Sequence, residues 1–260
     1  MSGNAPKENN SFWLTLGVYC SMTLWTLLYA LLFLPVFLLA VILPRPRRGI
    51  VMRCYILCYG KLMVQVAVRP FFQVRYQDML DCTSEPGIYV FNHRSASDPF
   101  LMSVFGLPMI QEVNGWPMRI PIYGFAARTA DYIDITKTAP EQMQAKIAEL
   151  LAHGVSIVSF PEGHRSGSRE LASFHSGIFR IARAIHAPLY LCAIAGNETL
   201  PDRSFRFRNS GRIIIRRFRK ISGNETDAFA NDFALKNFVF QLIKEETANL
   251  DNLLDHEIRV

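Results

Sequence analysis

The sequence predicts an α/β fold, a mixed and partly parallel sheet flanked by helices, behind an N-terminal helical membrane anchor. Two observations predict it. Residues 12–43 are almost continuously apolar, and no charged side chain falls between residues 9 and 44. From residue 86 onward, short apolar runs alternate with amphipathic ones, an alternation that argues a layered sheet with parallel neighbours. A chain of 260 residues, 50% hydrophobic, can bury one sizeable core besides that anchor. Its net charge of +6 favours anionic partners.

Residues 1–11 are polar and read as a loose, disordered terminus. The run 12–43 is well over the ~20 helical residues that cross a bilayer core. A cleavable signal peptide fits it poorly, because the run is too long and no A-x-A site follows. Pro35 can bend the run, which suits either one tilted, kinked span or a re-entrant pair of helices. Arg45, Arg47 and Arg48 follow it, against a lone Lys7 before it, which puts the bulk of the protein on the cytoplasmic side of an inner or cytoplasmic membrane. Between residues 49 and 69, Val51, Met52, Tyr55, Ile56, Tyr59, Leu62, Met63 and Val66 recur at helical spacing among Arg53, Lys61 and Arg69. This is either an interfacial amphipathic helix or a helix packed on the domain. Residues 12–69 are thus membrane-embedded and interfacial, and 70–260 form the remaining domain.

Within that domain, 71–76 and 87–91 read as strands. Thr138 and Glu141 form a capping box around Pro140, opening a helix that Gly154 closes. A buried strand at 155–160, a helix at 177–186 and a strand at 189–194 follow, then a strand at 212–218 and a closing helix at 227–247.

Two stretches carry chemistry. Asn92-His93-Arg94-Ser95-Ala96-Ser97-Asp98 follows the strand 87–91, with a base and a carboxylate in His-x4-Asp spacing, and Asp98-Pro99 reads as a helix N-cap and first residue. Phe160-Pro161-Glu162-Gly163-His164-Arg165-Ser166 leaves the strand 155–160. Ligands gather at the carboxyl ends of strands in α/β sheets, so both stretches border one crevice if their strands are parallel neighbours. The five cysteines, Cys20, Cys54, Cys58, Cys82 and Cys192, form no C-x-x-C pair, and His153, His164, His175, His186 and His256 lack metal-ligand spacing; no metal site is expected. G-x-S-x-G, H-E-x-x-H and dinucleotide fingerprints are absent, which removes those enzyme classes. Arg203, Arg206, Arg208, Arg212, Arg216, Arg217, Arg219 and Lys220 make a basic stripe. Behind a membrane anchor it suits anionic head groups rather than nucleic acid, with a plain solvated face as the alternative.

Asn-His-x-Ser-x-x-Asp followed by Phe-Pro-Glu-Gly-x-Arg-Ser resembles the glycerolipid and lysophospholipid acyltransferases, of which 1-acylglycerol-3-phosphate acyltransferase is typical. The resemblance covers roughly 70–200 and makes 70–260 a catalytic domain. It implies acyl transfer from a thioester, acyl-CoA or acyl carrier protein, to the hydroxyl of a lyso-lipid, with no cofactor. His93 would be the general base and Asp98 its orienter. Glu162 would position the acceptor, Arg165 would contact its anionic group, and a backbone amide such as that of Gly163 would meet the oxyanion. Asn92, Ser95, Lys137 and His175 complete the expected substrate-binding set. The chain departs from the family pattern at Ile133-Asp134-Ile135, where relatives end in Arg and Lys137 is the nearest cation, and at Phe174-His175-Ser176-Gly177, where relatives carry Lys. Both departures fall on basic positions that hold an acceptor phosphate, so another acceptor head group stays open. A thioester or lipid hydrolase and a non-catalytic lipid-binding protein are the competing readings.

Overall fold

The central strands of this sheet are buried on both faces, which is why 87–91 and 189–195 read as unbroken apolar runs. The computed structural model describes residues 8–80 and 85–259; residues 1–7, 81–84 (with Cys82) and 260 lie outside the described residues. The apolar N-terminus forms α1 (Glu8–Leu32) and α2 (Leu34–Ile42), and α3 (Arg45–Leu62) runs on into a π-helical turn, Met63–Ala67. Helix thus begins at Glu8, inside the polar stretch 1–11. Pro35 sits in the first turn of α2, where its missing donor costs nothing, and the hydrogen bonds Phe33 N→Tyr29 O and Phe37 N→Phe33 O carry the helical path across the bend.

α3 returns antiparallel along this bent rod. Tyr29 Oη donates to the Tyr55 carbonyl (2.8 Å), the Thr26 and Tyr59 hydroxyls pair at 2.9 Å, and Ser21 Oγ donates to the Ala67 carbonyl (2.7 Å). Arg53, set among apolar residues, is buried because its guanidinium reaches Asp131 Oδ2 (2.8 Å) and the Ala130 carbonyl (3.3 Å). Ser11–Leu32 and Arg45–Ala67 are each long and apolar enough to cross a membrane. The first leaves Phe12, Trp13, Leu27, Leu31 and Leu32 exposed, whereas the second is partly buried against the domain.

The domain continues as β1 (Phe72–Asp78), β2 (Ile88–Val90), α4 (Asp98–Leu101) with a 3-10 turn to Phe105, and β3 (Met109–Val113). Next come α5 (Pro121–Thr129), β4 (Ile133–Asp134), α6 (Pro140–Ala152), β5 (Ser156–Ser159), α7 (Gly177–Ala184) and β6 (Leu189–Ala195). β7 (Gly211–Ile221), α8 (Gly223–Asp227) and α9 (Asp232–Arg259) complete the described chain. The strand order is β1-β7-β6-β2-β5-β3-β4, and β6–β7 is the antiparallel pair in an otherwise parallel sheet. The expected mixed, partly parallel sheet is therefore present.

Alternation along the strands splits the core in two. Ile88, Val90, Ile157, Leu189 and Leu191 face a cluster roofed by α5, α6, α7 and α9. Tyr89, Phe91, Val158, Tyr190 and Cys192 face a second cluster, closed by Val18 of α1, Val64 of the π turn, and Leu101 and Met102. The N-terminal hairpin is thus a layer of the fold as well as an anchor candidate.

Several local expectations change. No capping box opens α6: its N-cap is Ala139, and Thr138 Oγ1 instead donates to the Asp134 carbonyl (2.8 Å). The capping box lies at α8, between Ser222 and Glu225. The closing helix starts at Asp232, later than expected, and runs to Arg259. The basic stripe is largely paired: Arg208 with Asp202 (2.7 Å), Arg212 with Glu257 (2.6 Å), Arg216 with Glu246 (2.6 Å), Arg217 with Asp78 (2.5 Å) and Lys220 with Glu85 (2.5 Å). Much of its charge is spent inside the fold.

One glycine is required by close approach. A Cβ on Gly124 would collide with the Met118 carbonyl oxygen. Gly124→Ala is expected to lower stability by about 1–3 kcal/mol, read as a lower thermal unfolding midpoint; an unchanged midpoint would show that the turn before α5 yields freely.

Candidate active site

β2 is the middle strand of the seven, between β6 and β5, and both neighbours run parallel to it. The two chemistry-bearing stretches therefore leave the sheet side by side. Asn92, directly past β2, is fully buried, donates from Nδ2 to the Ile194 carbonyl (2.9 Å) and accepts at Oδ1 from the Ile194 amide (2.8 Å). Its amide group copies a strand's hydrogen bonding and stitches the loop to β6.

Asp98 gathers the loop around its carboxylate. Oδ2 accepts from His93 Nδ1 (2.7 Å), the Arg94 amide (2.8 Å) and the Ser95 amide (3.0 Å), while Oδ1 accepts from Asn197 Nδ2. The helix-capping role expected of Asp98 does not occur: Ser97 is the N-cap of α4, and the carboxylate turns back to the loop. Because a carboxylate only accepts, His93 carries its proton on Nδ1, and Nε2 is left as the basic nitrogen. The ring packs on Phe160 at 4.6 Å between centroids and is 19% exposed, enough to meet a substrate.

Glu162 holds the loop from the other side. Its Oε1 accepts from the His93 amide (2.6 Å) and its Oε2 from the Ala172 amide (2.8 Å), and only 1% of the residue is exposed. Both Glu162 oxygens are thus engaged with backbone amides, one of them that of His93. Burial pushes its carboxyl up to about 7, against the downward pull of the two amides. The two loops are also sewn together by Ser166 N→His93 O (2.8 Å) and Gly167 N→Arg94 O (3.0 Å).

The other expected site residues divide. Ser95 is fully buried and its hydroxyl donates to the Pro201 carbonyl (3.1 Å), so it supports the loop. Gly163 sits at φ +74°, and its amide donates to the Phe160 carbonyl (3.0 Å), which removes it as an oxyanion donor. The His164 and Arg165 amides of the same turn make no hydrogen bond among the described residues. His175 is exposed beside that turn, with its ring 3.3 Å from where a Gly163 Cβ would lie. Lys137 is exposed in the turn after β4, three strands from β2 or ~14 Å across the sheet, so it is not brought to the base. Arg165 stacks its guanidinium 4.5 Å over the Phe205 ring, and Nη2 donates to the Arg203 carbonyl (3.3 Å); it pairs with no carboxylate among the described residues.

Beside the loop lies an apolar cavity of about 210 Å³. Ala96, Ser97 and Phe100 form one side, Tyr19, Met22 and Met63 of the N-terminal hairpin another, and Leu200, Pro201 and Phe205 a third. Among the described residues no cluster of His, Cys, Asp and Glu is arranged to hold a metal ion. Sequence reasoning missed Asn197, fully buried at the exit of β6 and bonded to Asp98, since an asparagine after a buried strand carries no local signal of its partner.

Residues 71–195 match a protein-family model described as Acyltransferase. The chain is 25% identical over 179 residues to the chloroplastic 1-acyl-sn-glycerol-3-phosphate acyltransferase LPAT1 of Arabidopsis thaliana, covering 66% of this chain and 50% of that one. It is 26% identical over 130 residues to a 1-acyl-sn-glycerol-3-phosphate acyltransferase of Pseudomonas aeruginosa, covering 48% of this chain and 50% of that one. The chain thus spans about half the length of the first curated relatives it matches. The crystal structure of the 1-acyl-sn-glycerophosphate (LPA) acyltransferase PlsC from Thermotoga maritima has the same fold, with a TM-score of 0.75 at 20% identity over 94% of this chain and 97% of that one.

The raised Glu162 carboxyl predicts a pH dependence of stability. In the unfolded chain it loses its proton near 4.5, but in the fold it keeps it until about 7. Its contribution is therefore full below pH 4.5 and is lost as pH rises through about 7. Glu162→Gln should flatten that part of the unfolding-midpoint profile, and should also lower the midpoint throughout because an amide NH2 would face a backbone N–H; identical profiles would show that Glu162 does not titrate there.

Proposed function

With residues 71–195 forming an acyltransferase-family domain, we propose that this protein moves a fatty acyl group from an acyl thioester, acyl-CoA or acyl carrier protein, to the hydroxyl of a lyso-lipid. The default acceptor is 1-acylglycerol-3-phosphate, which the printed names of the relatives support. The observation that carries the reading is the His93–Asp98 dyad at the end of the central strand, with an apolar cavity opening beside it.

In this mechanism His93 Nε2 takes the proton of the acceptor hydroxyl as its oxygen attacks the thioester carbonyl. Asp98 holds the imidazole by Nδ1–H and balances the charge that the ring acquires. Base catalysis of this kind contributes typically ~10²–10⁴-fold. The tetrahedral intermediate collapses, the C–S bond breaks, and the sulfur takes the proton that Nε2 carried and leaves as the free thiol. The unspent His164 and Arg165 amides are the donors within the turn that can meet the oxyanion. Arg165 stands over Phe205, a wall of the cavity, so it places a cation where the polar end of a lipid would lie while the chain fills the cavity. The apolar helices support a membrane-bound enzyme, and the arginines at 45, 47 and 48 support a site facing the cytoplasmic leaflet.

Two outcomes test this. Purified protein given acyl thioester should release free thiol only when a lyso-lipid is present, and His93→Ala should abolish that release while the protein stays folded and membrane-associated; thiol release without acceptor would point to a hydrolase, and a fully active His93→Ala would remove the base. Arg165→Ala should raise KM for anionic acceptors several-fold, by about 1 kcal/mol of lost charge-assisted hydrogen bonding or more, with little change for zwitterionic ones. Equal effects on both acceptor types would take Arg165 out of the head-group contact.

A further inference from the structure

Arg94 directly follows the base, and the fold grips it at both ends. Its amide donates to Asp98 Oδ2 (2.8 Å), the same oxygen that holds the His93 ring. Its guanidinium is received by Asp251 on α9 in a two-pronged pair, Nη1 to Oδ1 and Nη2 to Oδ2, each at 2.7 Å. Nη2 also donates to the Arg169 carbonyl (3.0 Å). Arg94 is 2% exposed and Asp251 7%, although the two lie 157 positions apart. A buried, planar, two-pronged pair fixes a guanidinium in orientation as well as in place.

The pairing continues outward. Arg169 reaches Asp255, one turn further along α9, at 2.8 and 2.9 Å, and Glu198, just past β6, at 3.0 Å. Residues of the catalytic loop, the turn after β5, the exit of β6 and the C-terminal helix are thus joined through two guanidiniums and three carboxylates. α9 begins well past residue 195, outside the stretch that matches the family model. A loop held only by its own short bonds could slide along Asp98; one whose next side chain is pinned to a packed helix cannot do so without breaking a buried ion pair.

We propose that Asp251 is a positioning residue for acyl transfer: by clamping Arg94 it sets where the Arg94 amide stands on Asp98, and so where Asp98 aims His93. This rests on the acyl-transfer reading for its kinetic effect, but the clamp itself can be read without turnover. Removing Asp251 alone strands a buried charge, so the decisive variant removes both partners, Arg94→Met with Asp251→Leu, which keeps the volume apolar and well packed. In the full chain, kcat is expected to fall about 10- to 100-fold from a small displacement of the base, with KM for thioester and acceptor within about twofold and the unfolding midpoint preserved. The rate at which diethyl pyrocarbonate modifies His93, mapped by mass spectrometry, should rise several-fold. Should the apolar pair fail to fold, Arg94→Gln with Asp251→Asn, neutral at both positions and without the two-pronged grip, gives the same readouts. Wild-type kcat and wild-type modification rate in a folded variant would overturn the clamp. A wild-type protein that transfers no acyl group would instead sink the proposed activity, and the modification rate would then decide the clamp by itself.

Discussion

A single buried carboxylate organises the end of this sheet. Asp98 is fully enclosed and accepts four N–H groups: a ring nitrogen, two consecutive loop amides and the side chain of Asn197. Burying an acceptor of this kind is costly unless its lone pairs are met, and here all of the partners come from groups that would otherwise need partners of their own. The loop between β2 and α4 has little regular structure, so these bonds are what give it a shape. Satisfying this side chain shapes the loop from within, while Glu162, Asn92 and Asp251 tie it to the neighbouring elements.

The sheet makes that arrangement possible. β2 lies between two parallel neighbours, and the loops leaving β2, β5 and β6 emerge on one side with their backbones within reach of each other. Glu162 from the β5 loop, Asn92 reaching toward β6, and Asn197 from beyond β6 each bond across this junction. Polar side chains here act largely as substitutes for strand hydrogen bonds where the strands end. The exposed chemistry is left to few groups, mainly the far nitrogen of His93 and the guanidinium of Arg165.

How much of this could be read from the chain alone depended on range. β6 and the alternation of helices were visible because a strand buried on both faces favours apolar residues throughout, and the His-x4-Asp and Glu-Gly-x-Arg stretches were visible because each is continuous. Thr138 and Asp98 were misread for a common reason: each fits a helix-capping pattern locally, yet a nearby carbonyl claims the hydroxyl of Thr138, and loop amides and an imidazole claim the carboxylate of Asp98. At Glu162 and Gly163 a turn sequence does not reveal which polar atoms the fold itself uses: the Glu162 oxygens accept backbone amides, and the Gly163 amide donates to the Phe160 carbonyl. Asn197 and Asp251 stayed hidden since their partners are about a hundred residues or more away. β3 and β4 are short and half-buried, too weakly patterned to stand out.

The two-faced core has a practical meaning for anyone wishing to handle this protein in water. Val18 and Val64 close one of its hydrophobic clusters, and Tyr19, Met22, Met63 and Val64 wall the cavity beside the loop after β2. Cutting away residues 8–69 would therefore remove one wall of that cavity and lay bare the underside of the sheet. The N-terminal hairpin and the sheet are here one indivisible architectural unit.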